Sequence, residues 1–249
     1  MVKKSTINKI EAFNLEPGRT IGGRYQILEK LGAGYEGEVY KVSEIYTKRQ
    51  RAIKLYYPQR NVQHKVSIKQ SQKLDKLTDC PLVVNYHSHE LISLKKQKIA
   101  CITCEFIEGQ RLGDFVAKQR KKQLGIFPAI HLLYSLVCGL EDIHLHGEYH
   151  GDLHTDNIII KRFGLEFDIK IIDFHHWGDS KKDNREEDII KTIRIFYDIL
   201  GGEKNYRKLP KSIKFIICGL KRSLILEKFK TISHLKYHLE VMDWSDAVE

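Results

Sequence analysis

The sequence predicts an α+β fold of two lobes, an antiparallel β-sheet lobe carrying one helix and then a mainly α-helical lobe. Two observations carry that prediction. Short runs of β-branched and aromatic residues, separated by glycine-rich or polar turns, fill the chain before residue 106. Helical apolar periods dominate after Glu108-Gly109. A third observation sets the domain count: the 249 residues are enough for a real core, and neither a repeat nor a long linker divides them. Residues 1–20 read as a polar lead-in ending in Pro17-Gly18. Residues 21–249 read as one domain, with an N-lobe over 21–105, a hinge over 105–109 and a C-lobe over 110–249.

Taken in order, Tyr25–Leu31, Glu38–Val42 and Arg51–Tyr56 have strand composition, and the glycine-rich turn between the first two predicts a hairpin. Val66, Ile68, Leu74 and Leu77 place an irregular helix over 64–77, stopped by Cys80-Pro81. Leu82–His87 and Ile99–Phe106 read as strands around the polar turn Lys95–Lys98. Leu132, Leu133, Leu136, Val137, Leu140 and Ile143 form one broad face of a helix over 129–145, with Pro128 in its first turn. Strands follow at Ile158–Lys161 and Ile169–Ile172 around a turn at Gly164. Helices are expected over 187–200, stopped by Gly201-Gly202, then over 212–226 and 232–242.

Composition narrows the function classes. Twenty-four aromatic residues argue against disorder, and five scattered cysteines argue against a disulfide scaffold and for a reducing compartment. No run reaches the roughly 18 apolar residues of a membrane span, and the N-terminus lacks an apolar signal core. The expectation is a soluble, cytoplasmic protein. Its net charge of +10 favours an anionic partner without choosing one.

Four segments could carry chemistry. Gly32, Gly34 and Gly37 form a GxGxxG between two strands, followed by Val39; such glycines let backbone amides approach phosphate. A dinucleotide-binding turn would lie between a strand and a helix, so this one fits a flap over phosphates. Seventeen residues after Gly37, Lys54 follows Ala52-Ile53 on the next strand, suited to phosphate pairing or to guarding a sheet edge. In YHGDLHTDNIII, Asp152 could accept or orient a hydroxyl proton, and the Asn157 carbonyl suits Mg²⁺. Asp173 ends an apolar strand, where a carboxylate could hold the same ion.

Together these segments resemble the protein-kinase-like phosphotransferases. Gly32 to Val39 resembles the glycine-rich loop, Ala52-Ile53-Lys54 the VAIK lysine, His150 to Asn157 the HRDLxxxN loop, and Asp173-Phe174-His175 the DFG motif. Cys104 to Gly109 resembles the hinge that binds adenine through backbone groups. The likeness covers about residues 24–242. It implies ATP and Mg²⁺ as cofactors. Gly32, Gly34, Gly37, Val39, Ala52, Glu105 and Ile107 would surround ATP, and Lys54 would meet its α/β-phosphates. Asp152 would be the catalytic base or hydroxyl-orienting group, with Asn157 and Asp173 as the metal ligands. Asp188 would anchor the catalytic loop.

The pattern also departs from the family. Residues 60–79 contain no glutamate to pair with Lys54, leaving Gln70 as the candidate partner, or Asp75 in another register. Gly151 replaces the arginine of HRD, His154 the lysine two residues after the base, and His175 the glycine of DFG. Only 15 residues separate Asp173 from Asp188, so most of the activation segment and peptide platform is absent. Lys228 lies near the place of an arginine whose glutamate partner is also gone.

The leading expectation is a minimal Ser/Thr protein kinase without activation-loop regulation. A small-molecule kinase, suggested by HGDLHTDN, and a pseudokinase binding module are the alternatives. Zinc at Cys101/Cys104 is disfavoured, because residues i and i+3 of a strand face opposite ways. A metal site at His144, His146, His150 and His154 is disfavoured by the break at Gly147. His175-His176-Trp177 suits packing as well as substrate contact, and Arg120-Lys121-Lys122 reads as a solvated helix face.

Overall fold

The computed structural model describes residues 9–163, 166–176, 178 and 180–243. The first eight residues, the turn at Gly164 and Trp177 lie outside the described residues. Two compact units make up the chain: Met1–Thr78 with Val84–Ile107, and Asp79–Val83 with Glu108–Glu249.

The first unit is a six-stranded antiparallel sheet in the order β1-β2-β3-β4-β6-β5. Its strands are β1 (Thr20–Ile21), β2 (Tyr25–Ala33), β3 (Gly37–Glu44), β4 (Gln50–Tyr56), β5 (Tyr86–Leu94) and β6 (Gln97–Glu105). Helix α1 (Lys65–Lys76) packs on β5 and β6. Period-two alternation decides the faces: Tyr40, Val42, Ile53 and Leu55 are wholly buried in the core, while Val39, Ala52 and Lys54 lie half-buried on the opposite face.

The segment expected as a polar lead-in is part of this core. Ile10, Phe13 and Leu15 are buried, and Phe13 stacks on Tyr57 with ring centroids 5.4 Å apart. The Phe13 amide donates to Glu38 Oε1 at 3.2 Å, and the Leu15 amide to the Tyr40 hydroxyl at 3.2 Å. Three apolar residues within a polar stretch are too few to show a period, so this strap gave no sequence signal.

The second unit joins a three-stranded sheet to a helical layer. Its elements are β7 (Gln110–Arg111), α2 (Leu112–Ala117), α3 (Ile126–Leu145), β8 (Ile158–Phe163), β9 (Glu166–Ile171), α4 (Lys181–Ile199), α5 (Glu203–Tyr206), α6 (Lys211–Ile217), α7 (Arg222–Lys228) and α8 (Ile232–Val241). Helix α3 has the length and apolar composition of a membrane span, yet it buries Leu132, Leu136, Val137, Leu140 and Ile143 and packs on α4, α8 and β9.

Three expected boundaries are corrected. The strand placed at Leu82–His87 starts only at Tyr86, because Leu82 and Val83 serve the second unit. The Leu82 carbonyl accepts the Ile171 amide at 2.7 Å, and the Leu82 side chain fills the space that a Cβ on Gly139 would need. The helix expected from 187 starts two turns earlier, where the Ser180 hydroxyl accepts the Asp183 amide as an N-cap. The helix expected over 212–226 breaks at Cys218, Gly219 and Leu220, all of which have positive φ.

Candidate functional site

In the first unit, the hairpin of β2 and β3 carries the glycine-rich turn. The Gly34 amide donates to the Gly37 carbonyl at 2.9 Å, and the Tyr57 amide donates to the Glu36 carbonyl at 2.8 Å. Gly37 admits no side chain, since a Cβ would fall 1.9 Å from the Leu55 carbonyl oxygen. Gly34 has open space around it, and Gly32 pairs in register with Val39 across the hairpin. One register step further, Val39 pairs with Lys54, which brings the glycine strand beside the lysine. Ala52 lies two residues along on the same face as Lys54.

Nζ of Lys54 lies 2.8 Å from Glu36 Oε2, and both side chains are mostly buried. Gln70, the expected partner of Lys54, is buried and accepts a hydrogen bond from the Tyr56 hydroxyl. A carboxylate beside Lys54 therefore comes from the turn, from a residue with no expected role. Its signal was an acidic residue at the turn's tip combined with a helix lacking glutamate. Glu105 ends β6, where its amide donates to the Asn85 carbonyl at 2.9 Å; Ile107 is the last residue of the unit.

In the second unit, the loop after α3 is held by Asp188, which is buried on α4. Its Oδ2 accepts the His150 amide at 2.7 Å and its Oδ1 the Gly151 amide at 3.0 Å; His144 Nε2 lies 3.1 Å from Oδ2. The His150 ring donates from Nε2 to the Ile172 carbonyl at 2.8 Å and accepts the Asp152 amide on Nδ1 at 3.1 Å. This arrangement places the Asp152 carboxylate at the surface, 51% exposed. Asn157 donates from Nδ2 to the Asp152 carbonyl at 2.9 Å, which leaves its Oδ1 as the donor toward a cation. The His154 ring is wedged between these two, with Nε2 3.6 Å from Asp152 Oδ2 and 3.0 Å from Asn157 Nδ2.

Asp173 adopts the left-handed conformation at φ +57°, and Phe174 beyond it is buried 4.7 Å from the His150 ring. His175 is absent from the positive-φ positions; its amide donates to the His150 carbonyl at 2.9 Å. The glycine of DFG is therefore not needed here, because Asp173 itself makes the turn. Gly151, in place of the arginine, has φ +90°, and a Cβ there would lie 3.0 Å from the His175 carbonyl oxygen. Lys228 is satisfied locally, 3.3 Å from the Phe215 carbonyl oxygen and 3.4 Å from that ring's centroid.

The metal ligands expected in the second unit, Asp173 and Asn157, offer a carboxylate and an amide carbonyl, both hard oxygen ligands. That set fits Mg²⁺, which commonly takes one or two protein oxygens and completes its shell with water and substrate phosphate. Among the described residues, no group of three or more His, Cys, Asp or Glu side chains could hold a metal. Cys101 is buried in the core, where burial pushes its thiol up to about 12, while Cys104 lies on the opposite face.

Comparison with known proteins agrees with this geometry. The family described as protein kinase domain matches residues 25–198. Human serine/threonine-protein kinase Nek11 is 33% identical over 162 residues, covering 60% of this chain and 24% of the relative. Serine/threonine-protein kinase PrkC of Bacillus subtilis is 28% identical over 160 residues, covering 63% and 23%. The chain thus spans about a quarter of these relatives' length. Among solved structures, the kinase domain of PknI from Mycobacterium tuberculosis superposes with a TM-score of 0.68 at 16% identity, covering 91% of this chain and 98% of that one. Rad53 residues 1–466 in complex with AMP-PNP gives 0.70 at 18% identity, covering 90% and 67%. At such identities the structural likeness establishes the fold.

Proposed function

This chain belongs to the protein kinase domain family, and from that premise we propose that it transfers the γ-phosphoryl group of ATP to a protein serine or threonine hydroxyl. The observation that carries the reading is the arrangement of the loop from His150 to Asn157. Asp188 pins its backbone, Asp152 presents an exposed carboxylate, and Asn157 is locked with its amide inward.

Each residue's work follows from its chemistry. The amides around Gly32, Gly34 and Gly37 face phosphate oxygens, and Lys54 neutralises charge on the α/β-phosphates. Val39 and Ala52 offer an apolar surface to the base. The Glu105 amide is engaged, so its carbonyl and the Ile107 amide would read the base edge. Asp152 orients the acceptor hydroxyl and takes its proton as the phosphorus–oxygen bond forms. Asn157 and Asp173 would hold Mg²⁺, which when bound supplies charge neutralisation on the β- and γ-phosphates.

A second reading, transfer to a small hydroxyl compound, is favoured by one observation. Helix α4 begins at Lys181, eight residues after Asp173, which leaves little chain for a peptide platform. One experiment separates the readings. Purified protein is incubated with Mg²⁺ and γ-labelled ATP, and label is followed in protein, in small molecules and as free phosphate, beside Asp152→Ala. Label on protein Ser or Thr that vanishes in the variant supports the proposal. Tight ATP binding that yields only free phosphate until a small alcohol is added favours the second reading. Absence of both binding and transfer overturns both.

A further inference from the structure

The glycine-rich turn that carries Glu36 is firmly held. Besides its closing hydrogen bonds, Gly37 lies against Leu55 with no room for a Cβ. On its outer side, the Arg60 guanidinium covers the Tyr35 ring at 3.8 Å and hydrogen-bonds its hydroxyl. From this anchored backbone the Glu36 carboxylate reaches Lys54 at 2.8 Å, with the two side chains only 16% and 18% exposed. Helix α1 contains no glutamate, and its buried Gln70 is a neutral group engaged with Tyr56.

We infer that Glu36, carried by the glycine-rich turn, is a counter-ion that positions Lys54 for phosphoryl transfer. The inference rests on the phosphotransferase reading above. An ammonium has three donors, so one can remain on Glu36 while the others meet phosphate oxygens. The amides that face phosphate and the carboxylate that orients the lysine then belong to one hairpin. A carboxylate so near a polyphosphate adds no attraction for ATP itself. Its removal should therefore act on the transfer step, and ATP affinity should hold.

The test is steady-state kinetics of Glu36→Gln and Glu36→Ala beside the wild-type protein, with thermal unfolding of each. Both variants should lose about tenfold or more in kcat while KM for ATP stays within about threefold and the unfolding temperature is kept, the pattern of an interaction made in the transition state. An unchanged or raised kcat with a lower KM would overturn the inference, since Glu36 would then compete with phosphate for Lys54. A joint fall in kcat, ATP affinity and unfolding temperature would overturn it too, by making the pair a structural support. Wild-type protein that transfers no phosphate removes the premise and the inference together. Wild-type transfer with an unaltered Glu36→Ala removes this inference alone.

Discussion

Single residues set the shape of the loop that presents Asp152. Asp188 satisfies two backbone amides, one buried and one part-buried, with two carboxylate oxygens, and His144 reaches the same carboxylate. Asp188→Asn puts an amide N–H against one of those donors. It should cost about 1–3 kcal/mol, the desolvation of one unpaired buried group, and lower transfer with it. Chemical denaturation of the variant checks the first and a kinase assay the second. Gly151 is constrained in another way, because its φ of +90° and the 3.0 Å approach to His175 exclude a side chain. Gly151→Arg, which would return the family's residue, should lower the unfolding temperature and should not confer dependence on phosphorylation. Both residues could be found in the sequence by position in a motif. The geometry that makes Gly151 obligatory could not, since a positive φ leaves no mark on the residues around it. Glu36 shows the same limit: its identity was plain, but its reach to Lys54 depends on the hairpin register.

At the scale of elements, the strap over residues 10–15 is the main addition to what the sequence predicted. It closes one end of the sheet core, and Glu38 is its fastening point. Burial pushes the Glu38 carboxyl up, but hydrogen bonds from Tyr40, Lys30, Tyr57 and the Phe13 amide outweigh it, and the net direction is down from 4.5. Burial and the bond to Glu38 raise Tyr57 to about 12. The carboxylate's contribution is therefore present above about pH 4.5 and lost as acid carries the pH below the folded value; the tyrosines' contribution is lost in strong alkali. Glu38→Gln should destabilise the protein by about 1–3 kcal/mol at neutral pH, and the gap from wild type should shrink below about pH 4. Denaturant unfolding at both pH values checks this, and a gap constant with pH would contradict it. Long periodic elements such as α3 were legible because burial on one face repeats from Ala129 to Ile143, about four turns. The start of α4 was not, because Lys181 to Glu187 is polar and only Ser180 with Asp183 marks the cap. The break in the helix expected over 212–226 is marked in the sequence only by Gly219, which sits within an apolar run.

At the scale of the whole molecule, the family was legible because four motifs stand in order over most of the chain, each anchored at an element boundary that the fold fixes. The departures proved coherent in the structure. Asp173 takes the turn that a glycine would take, Gly151 fills the place of an arginine with no loop to bind, and Lys228 finds its partner in Phe215. With α4 starting eight residues after Asp173, activity should be insensitive to phosphatase treatment, checked by comparing initial rates before and after. The central claim is that these departures leave a working phosphotransferase. Its most direct test is the single-turnover rate of transfer from Mg²⁺-ATP to protein hydroxyls in wild type, Asp152→Asn and Lys54→Ala. Wild type should show measurable transfer, with each variant slower by on the order of 10² or more, as loss of a catalytic base or of a charge-stabilising group requires. Equal rates in all three proteins, or none in the wild type, would contradict it.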